Sequence, residues 1–435
     1  MPACFLEFCG YGSLSLKLRI KKSAKSKVMR IGIDIRNIGK QRTGDEVVFF
    51  NLVKNLAKID EENHYSLFTD TNDSTVLRYI VEKLGIENKK NFKIISLPMS
   101  FLRKQESTLS ENRQCRFRIK CGITLSSNKF IWNLYTLPRY LRKNPVDVYH
   151  TQYITPLFVP KEIKIITHIH DVSFLAYPEF IRKSDLFFLK ILIPISLRRA
   201  DKIVAVSEFT KNEIIKYYGT DSKKIEVVHN AVNEDFTKSD YSGNELFAIR
   251  KKYNLPEKYV LYIGTMQPRK NVPMLVNAFV AAKNRITGIK LVLAGNKNAH
   301  NFDKKIDKEI KKLKLEDDVI FSGFVDESDK AALFQMAEVF VYPSLYEGFG
   351  IPMLEAMSQK IPVLASNISV HLEVAEDGAL YFDPRSVDEM QEKLYNILAD
   401  KNSRENLINL AIKRLDFFSW KKSAEKMLEI YKNLK

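Results

Sequence analysis

Short runs rich in Val and Ile alternate with longer segments of helical period along this chain, and the alternation starts twice. In the first series RIGIDI, DVYHT, KIITHIHD, KIVAVS and IEVVHN read as buried strands, and residues 45 to 59 and 184 to 199 read as helices. The polar stretch TKSDYSGNELFAIRKKYNLPEK, with the turn formers Gly243 and Pro256, interrupts the series. It restarts with YVLYIGT, KLVLAGN, VIFSGFV, VFVYPS and PVLASN. Strands separated by helices return to the same end of a sheet, so they pair in parallel and the helices cover the faces. The 435 residues also exceed what one core ordinarily holds. We therefore expect an α/β protein of two doubly wound domains, over residues 29–240 and 258–415, with a linker at 241–257 and a closing helix within 416–435 that starts near Ser419. In such sheets ligands sit outside the carboxyl ends of the strands.

The formal charge of +17 is concentrated, not general. Met1 to Met29 holds six basic residues and one acid, and Phe101 to Gly122 holds six and two, so these stretches supply nine of the seventeen charges. With the excess confined in this way and no recognised nucleic-acid motif, nucleic acid is not expected as a partner. The same stretches hold all four cysteines, Cys4, Cys9, Cys115 and Cys121, which argues for a reducing compartment and against a disulfide framework. Their spacing is a poor match to a zinc site.

Residues 1–28 are read as a disordered extension or as preceding the true start, because a clean strand begins at Met29 with VMRIGIDIR. They make a poor secretory signal, since the basic residues follow the apolar ones. The longest strongly apolar uncharged run, Ile191 to Leu197, falls far short of the roughly 20 residues of a membrane span. A cytoplasmic protein is expected. The surrounding segment FLAYPEFIRKSDLFFLKILIPISLRRADK mixes aromatics with Arg182, Lys183, Lys190, Arg198 and Arg199, a composition suited to lying on the anionic inner face of a membrane. The competing reading makes its apolar residues core and its cations a solvated face.

Four stretches point to chemistry. In SLYEGFGIPMLEAM, Glu347 leaves a strand, Gly348 and Gly350 permit positive φ and close backbone approach, and Pro352 suits the first turn of a helix. Glu355 is expected in that first turn, where the helix dipole favours it. Free amides there suit an anion, and ionised carboxylates accept hydrogen bonds from neighbouring hydroxyls. A diphosphate linking two sugars would satisfy both. In YIGTMQPRKNVPMLVNAF, Arg269 and Lys270 precede a helix, against its dipole, and fixed cations there suit a diphosphate leaving group. In THIHDVSF, alternation puts His168 and His170 on one face and Asp171 on the other. No third metal ligand is obvious and no D-x-D occurs, so no metal is expected. In GKQRTGDEVVFFNLVKNL, Thr43 and Glu46 have capping-box spacing, which also explains Gly44 and Asp45 structurally.

Taken together, these residues resemble the retaining glycosyltransferases of family 4, whose GT-B architecture sets two Rossmann-like domains facing across a cleft. The likeness covers about residues 29–435 apart from the basic stretch at 101–122, and rests on EGFGIPMLE (E-x7-E) with SLRRADKIVAVSEFT, VVHNAV, GTMQPRKN, VLAGN and SGFV in family order. It implies that Glu347 holds donor-sugar hydroxyls, that the amides of Gly348, Phe349, Gly350 and Ile351 meet sugar or phosphate, and that Glu355 holds the ribose. It implies that Arg269 and Lys270 hold the diphosphate beside Gly264 and Thr265, that His170 stands beside the reacting sugar, and that Phe324 and Val325 cradle the nucleobase. Gly44, Asp45 and Asp171 fall on the acceptor side.

The implied reaction moves a hexose, mannose or similar, from a GDP- or UDP-linked sugar to a glycan or lipid-linked hydroxyl, with retention, with no cofactor or metal, in surface polysaccharide or glycolipid synthesis. Departures from the family pattern are RTGDE before the first helix, where many members carry a glycine pair, and Thr265 where many carry Arg. An inactive sugar-nucleotide-binding protein and a nucleotide-sugar epimerase are the alternatives.

Overall fold

The computed structural model describes residues 28–39, 44–98, 131–237, 241–297 and 301–434. The four cysteines and the basic stretches at 1–27 and 101–122 lie outside these residues, as does Thr43.

Two parallel sheets organise the rest. The first contains β1 (Arg30–Asp34), β2 (His64–Thr69), β3 (Phe92–Ser96), β4 (Val148–Gln152), β5 (Lys164–Ile169), β6 (Lys202–Ala205) and β7 (Ile225–Val227), in the order β3-β2-β1-β4-β5-β6-β7. The second contains β8 (Lys258–Ile263), β9 (Ile289–Ala294), β10 (Val319–Gly323), β11 (Val339–Tyr342), β12 (Val363–Ser366) and β13 (Leu380–Phe382), in the order β10-β9-β8-β11-β12-β13. Central strands such as VLYI and FVY are wholly buried, as parallel strands covered on both faces must be.

In each sheet the winding reverses once, between β1 and β4 in the first and between β8 and β11 in the second. Loops leave such a switch point in opposite directions and open a crevice there. The residues at those strand ends are Asp34 and Gln152 in one domain, with His170 at the end of neighbouring β5, and Gly264 and the turn to Glu347 in the other.

Three strands escape the reading from sequence. β2 carries the polar Ser66 and Thr69, β3 is broken by exposed Lys93, and β13 is only three residues long. The stretch expected as a linker contains the helix Gly243–Lys252, started by a capping box in which Ser242 and Glu245 exchange side-chain and backbone hydrogen bonds. The final helix Trp420–Asn433 crosses back to pack on the helix Gly44–Ile59 of the first domain. Ser419 precedes it, but the Ser419 hydroxyl makes no capping bond.

In the helix Lys183–Arg199, Ile193 and Leu197 face the core while Phe187, Ile191 and Ile195 are exposed. Exposed Lys183, Lys190 and Arg198 flank them. Among the described residues no helix is long and apolar enough to cross a membrane.

Candidate active site

β11 delivers the loop that carries Glu347, and neighbouring β8 delivers the tight 3-10 turn Pro268–Lys270. The two loops are tied together: Leu345 N–H donates to the Arg269 carbonyl at 2.8 Å, and Arg269 Nη1 donates to the Tyr346 carbonyl at 2.8 Å. Inside this brace Glu347 accepts from Lys270 Nζ on one oxygen and from Arg269 Nη1 at 3.1 Å on the other. Lys270 Nζ also reaches the Tyr342 hydroxyl at 3.3 Å. Glu347 and Lys270 are buried, at 6% and 8% exposure.

Burial alone would raise the Glu347 carboxyl, but Lys270 and Arg269 outweigh it and hold the group well below the usual carboxylate range. For Lys270 the balance is opposite. Burial, with Arg269 alongside, holds its ammonium down to about 8 even though Glu347 pulls it up. Burial would lower the Arg269 guanidinium too, but Glu347 and Asp171 hold it fully charged. The cluster therefore carries one negative and two positive charges at neutral pH, a net cation at a strand's carboxyl end.

The glycines after Glu347 have separate reasons. A Cβ on Gly348 would collide with the His170 carbonyl oxygen, so this glycine lets the second domain touch the first. Gly350 has φ of +106°, the left-handed turn that aims the chain into the helix Ile351–Ser358 with Pro352 at its start. Phe349 between them is buried against Phe418.

The expectation for Glu355 needs correcting. It is the fifth residue of that helix, past the free amides of the first turn, so the dipole does not hold it. It is instead 5% exposed, and one oxygen accepts from Lys330 Nζ at 2.5 Å. Its other oxygen is enclosed without a hydrogen-bond partner, and burial raises its pKa against the pull of Lys330.

Lys330 lies on the helix Glu327–Gln335, which follows β10 and the loop of Phe324 and Val325. Phe324 is exposed at 60% and Val325 half-buried. The two glutamates thus meet cations from different segments, Glu347 from the turn after β8 and Glu355 from the helix after β10. Gly264 ends β8 with φ of +147°, and exposed Thr265 follows it, its carbonyl accepting from the Tyr262 hydroxyl at 2.7 Å. A Cβ on Gly295 would strike the Gly264 carbonyl, so the AGN motif exists to let these two loops pack.

Across the crevice, His170 is 8% exposed and its Nε2 lies 3.1 Å from Gln152 Oε1. Asn37 Nδ2 also donates to that oxygen at 3.4 Å, so the imidazole must donate from Nε2, which in the neutral ring leaves Nδ1 as an acceptor. Asp45, on the first turn of the helix that Gly44 begins, stands 3.9 Å from His170 Nε2. Asp171 accepts from the Ser173 amide and hydroxyl at 3.0 and 2.8 Å. Glu46 accepts from the Gly39 amide at 2.8 Å, so it closes the loop after β1.

Several residues of the crevice are given no role by the sequence. Ser207 Oγ and Thr210 Oγ1 donate to the Gly348 carbonyl at 2.7 and 3.1 Å, and the Glu373 carboxylate accepts from the Glu208 and Phe209 amides at 2.7 Å each. SLRRADKIVAVSEFT carries the family likeness but gives these residues no role, because their partners are more than a hundred residues away. Among the described residues no three His, Cys, Asp or Glu form a group suited to a metal.

Residues 44–236 match the family described as Glycosyltransferase Family 4, and residues 247–414 match Glycosyl transferases group 1. The chain is 32% identical over 300 residues to the O-antigen chain mannosyltransferase RfbU of Salmonella typhimurium, an alignment covering 67% of this chain and 77% of that protein. The chain belongs to glycosyltransferase family 4. This glycosyltransferase is also 28% identical to the O-antigen chain mannosyltransferase B of Escherichia coli, over 88% of its own length and 94% of the relative's. Its fold matches the crystal structure of a glycosyltransferase from Rickettsia africae with a TM-score of 0.68 at 20% identity, over 94% of this chain and 98% of that one. The two facing domains of the glycosyltransferase are thus the GT-B arrangement, and the crevice where Gly348 meets His170 is the cleft between them.

Proposed function

We propose that this glycosyltransferase moves a mannose or similar hexose from a GDP- or UDP-linked donor to a hydroxyl of a glycan or lipid-linked acceptor, with retention and without a metal. The observation that carries the reading is the buried Glu347–Arg269–Lys270 cluster, which faces His170 across the cleft. Its two cations are fixed at the carboxyl end of β8, where a diphosphate would gather charge as the sugar leaves. Both mannosyltransferase relatives support the choice of sugar.

In this reading the sugar C1–O bond to phosphate breaks and a C1–O bond to the acceptor forms on the same face. The acceptor's proton passes to the departing phosphate oxygen. Arg269 and Lys270 stabilise that oxygen, Glu347 and His170 hold sugar hydroxyls, and the Gly348–Ile351 amides meet sugar or phosphate beside Gly264 and Thr265. Glu355 and the Phe324–Val325 loop take the nucleoside, and Gly44, Asp45 and Asp171 line the acceptor side.

A thermal-stabilisation screen with GDP, UDP and their sugars, followed by product detection with the donor that binds, tests the reading. No shift with any nucleotide would refute it, and a shift without transfer would favour an inactive binding protein. The exposed Phe187, Ile191 and Ile195 among Lys183, Lys190 and Arg198 extend the proposal to contact with an anionic membrane. Sedimentation with phosphatidylglycerol vesicles, abolished in a triple Ser variant of the apolar three, would support that contact; equal sedimentation of the variant would sink it.

A further inference from the structure

A column of aromatic groups connects the end of the chain to the cleft. The Tyr431 hydroxyl, on the closing helix, lies 2.8 Å from His150 Nδ1. His150 Nε2 lies 3.4 Å from His168 Nδ1, with the two rings nearly parallel at 5.5 Å between centroids. His168 in turn stacks on His170 at 4.8 Å and an interplanar angle of 21°. Alternation along β4 and β5 puts all three imidazoles on one face, where Phe49 from the helix Gly44–Ile59 walls them off.

The interior of the column is fully enclosed. Tyr431 and His150 have no exposure and His168 has 1%. Burial, together with the nearby His170, holds His150 down to about 3 and His168 well below its ordinary value, so both rings are neutral.

A neutral imidazole has one donor and one acceptor, which allows two wirings. If Tyr431 O–H donates to His150 Nδ1, then His150 Nε2–H donates to His168 Nδ1, and only His168 Nε2 lacks a partner, as is observed. The reverse direction would leave both His168 Nε2 and the Tyr431 proton without partners. The first wiring leaves fewer buried polar groups unmet.

The geometry points to Tyr431 and His150 as positioning residues: they fix the tautomer and tilt of His168, whose ring sets the plane of His170 beside the sugar. Docking of the closing helix is thereby coupled to the geometry of transfer. The inference rests on the placement of His170 beside the sugar in the proposed function.

Tyr431→Phe deletes the hydroxyl and keeps the ring. We expect kcat to fall about tenfold with the KM for nucleotide sugar unchanged, since small misplacements of reacting groups cost rate more than affinity. Met427→Ala serves as a control, because it loosens the same helix from a fully buried position one turn before Tyr431 and leaves the hydroxyl of the column in place. If the two variants lose kcat in proportion to their loss of melting temperature, the role is only structural and the proposal fails. A kcat of Tyr431→Phe within twofold of wild type also overturns it.

Spectra of ¹⁵N-histidine-labelled protein at low temperature give a readout that does not need activity. The ring-nitrogen signals of His150, His168 and His170 should all move in Tyr431→Phe, and unchanged His170 signals refute the coupling. If the wild-type enzyme transfers no sugar, the functional reading has failed, and the spectra still decide the coupling.

Discussion

Replacing Glu347 with Gln keeps the shape of the side chain and removes its charge from between two buried cations. With Glu347 present, Lys270 titrates at about 8, because burial, with Arg269 alongside, outweighs the attraction of Glu347. Without it the ammonium falls below 8, so at neutral pH the variant loses a positive charge facing the proposed phosphates. One charge-assisted hydrogen bond is worth about 1.5–3 kcal/mol, and the lost bond to a sugar hydroxyl is similar. Together they predict a fall in kcat/KM of roughly 10²–10⁴-fold, at about 1.4 kcal/mol per tenfold.

Stability responds differently. Breaking a buried pair ordinarily costs about 3–5 kcal/mol. Here Lys270 can shed its proton, and doing so at pH 7 from a pKa of about 8 costs at most about 1.4 kcal/mol. Arg269 keeps its charge and its bond to the Tyr346 carbonyl. We expect a deficit of about 1–2 kcal/mol at pH 7.

The lowered pKa of Lys270 fixes the pH dependence. Unfolded lysine stays protonated to above pH 10, so a native state that has released the proton gains stability as pH rises. The variant releases it earlier, so its deficit against wild type shrinks between pH 6.5 and 8. The assays are nucleoside diphosphate release and thermal melts across that range. Transfer within tenfold of wild type, or a deficit that grows with pH, would refute the reasoning.

Two further outcomes follow from the same cluster. If protonated Lys270 holds the diphosphate, UDP or GDP affinity measured by calorimetry should weaken about tenfold from pH 7 to pH 9 as the group at about 8 loses its proton, whereas a flat profile would remove Lys270 from the phosphate site. Gly348→Ala should cost activity on the order of a hundredfold with little loss of melting temperature, because its methyl strikes the His170 carbonyl and holds the cleft apart. Normal turnover in that variant would show that the close approach is not needed.

Much of the fold is written in local pattern. The ten strand runs read from sequence all form, because buried parallel strands are continuous apolar runs and each pairs at a fixed end of its sheet. β3, broken by exposed Lys93, and the three-residue β13 were not legible, whereas the edge strands β7 and β10 were. The glycines at 348 and 350 stood out, and sequence offered close approach and positive φ for the pair jointly, whereas the structure gives the close approach to Gly348, against the other domain, and the positive φ to Gly350.

The sequence by itself determined two wound domains, their strand ends, and which charged residues leave those ends. Periodicity and turn chemistry are local, so they survive without coordinates. Only the tertiary structure decided who meets whom: Glu347 between Lys270 and Arg269, Glu355 against Lys330 one turn deeper than expected, and Tyr431 reaching His150 across 281 positions of chain. Burial turns those meetings into chemistry, since it decides whether a lysine titrates near 8 or a histidine stays neutral, and burial belongs to the assembled core and to no segment of it.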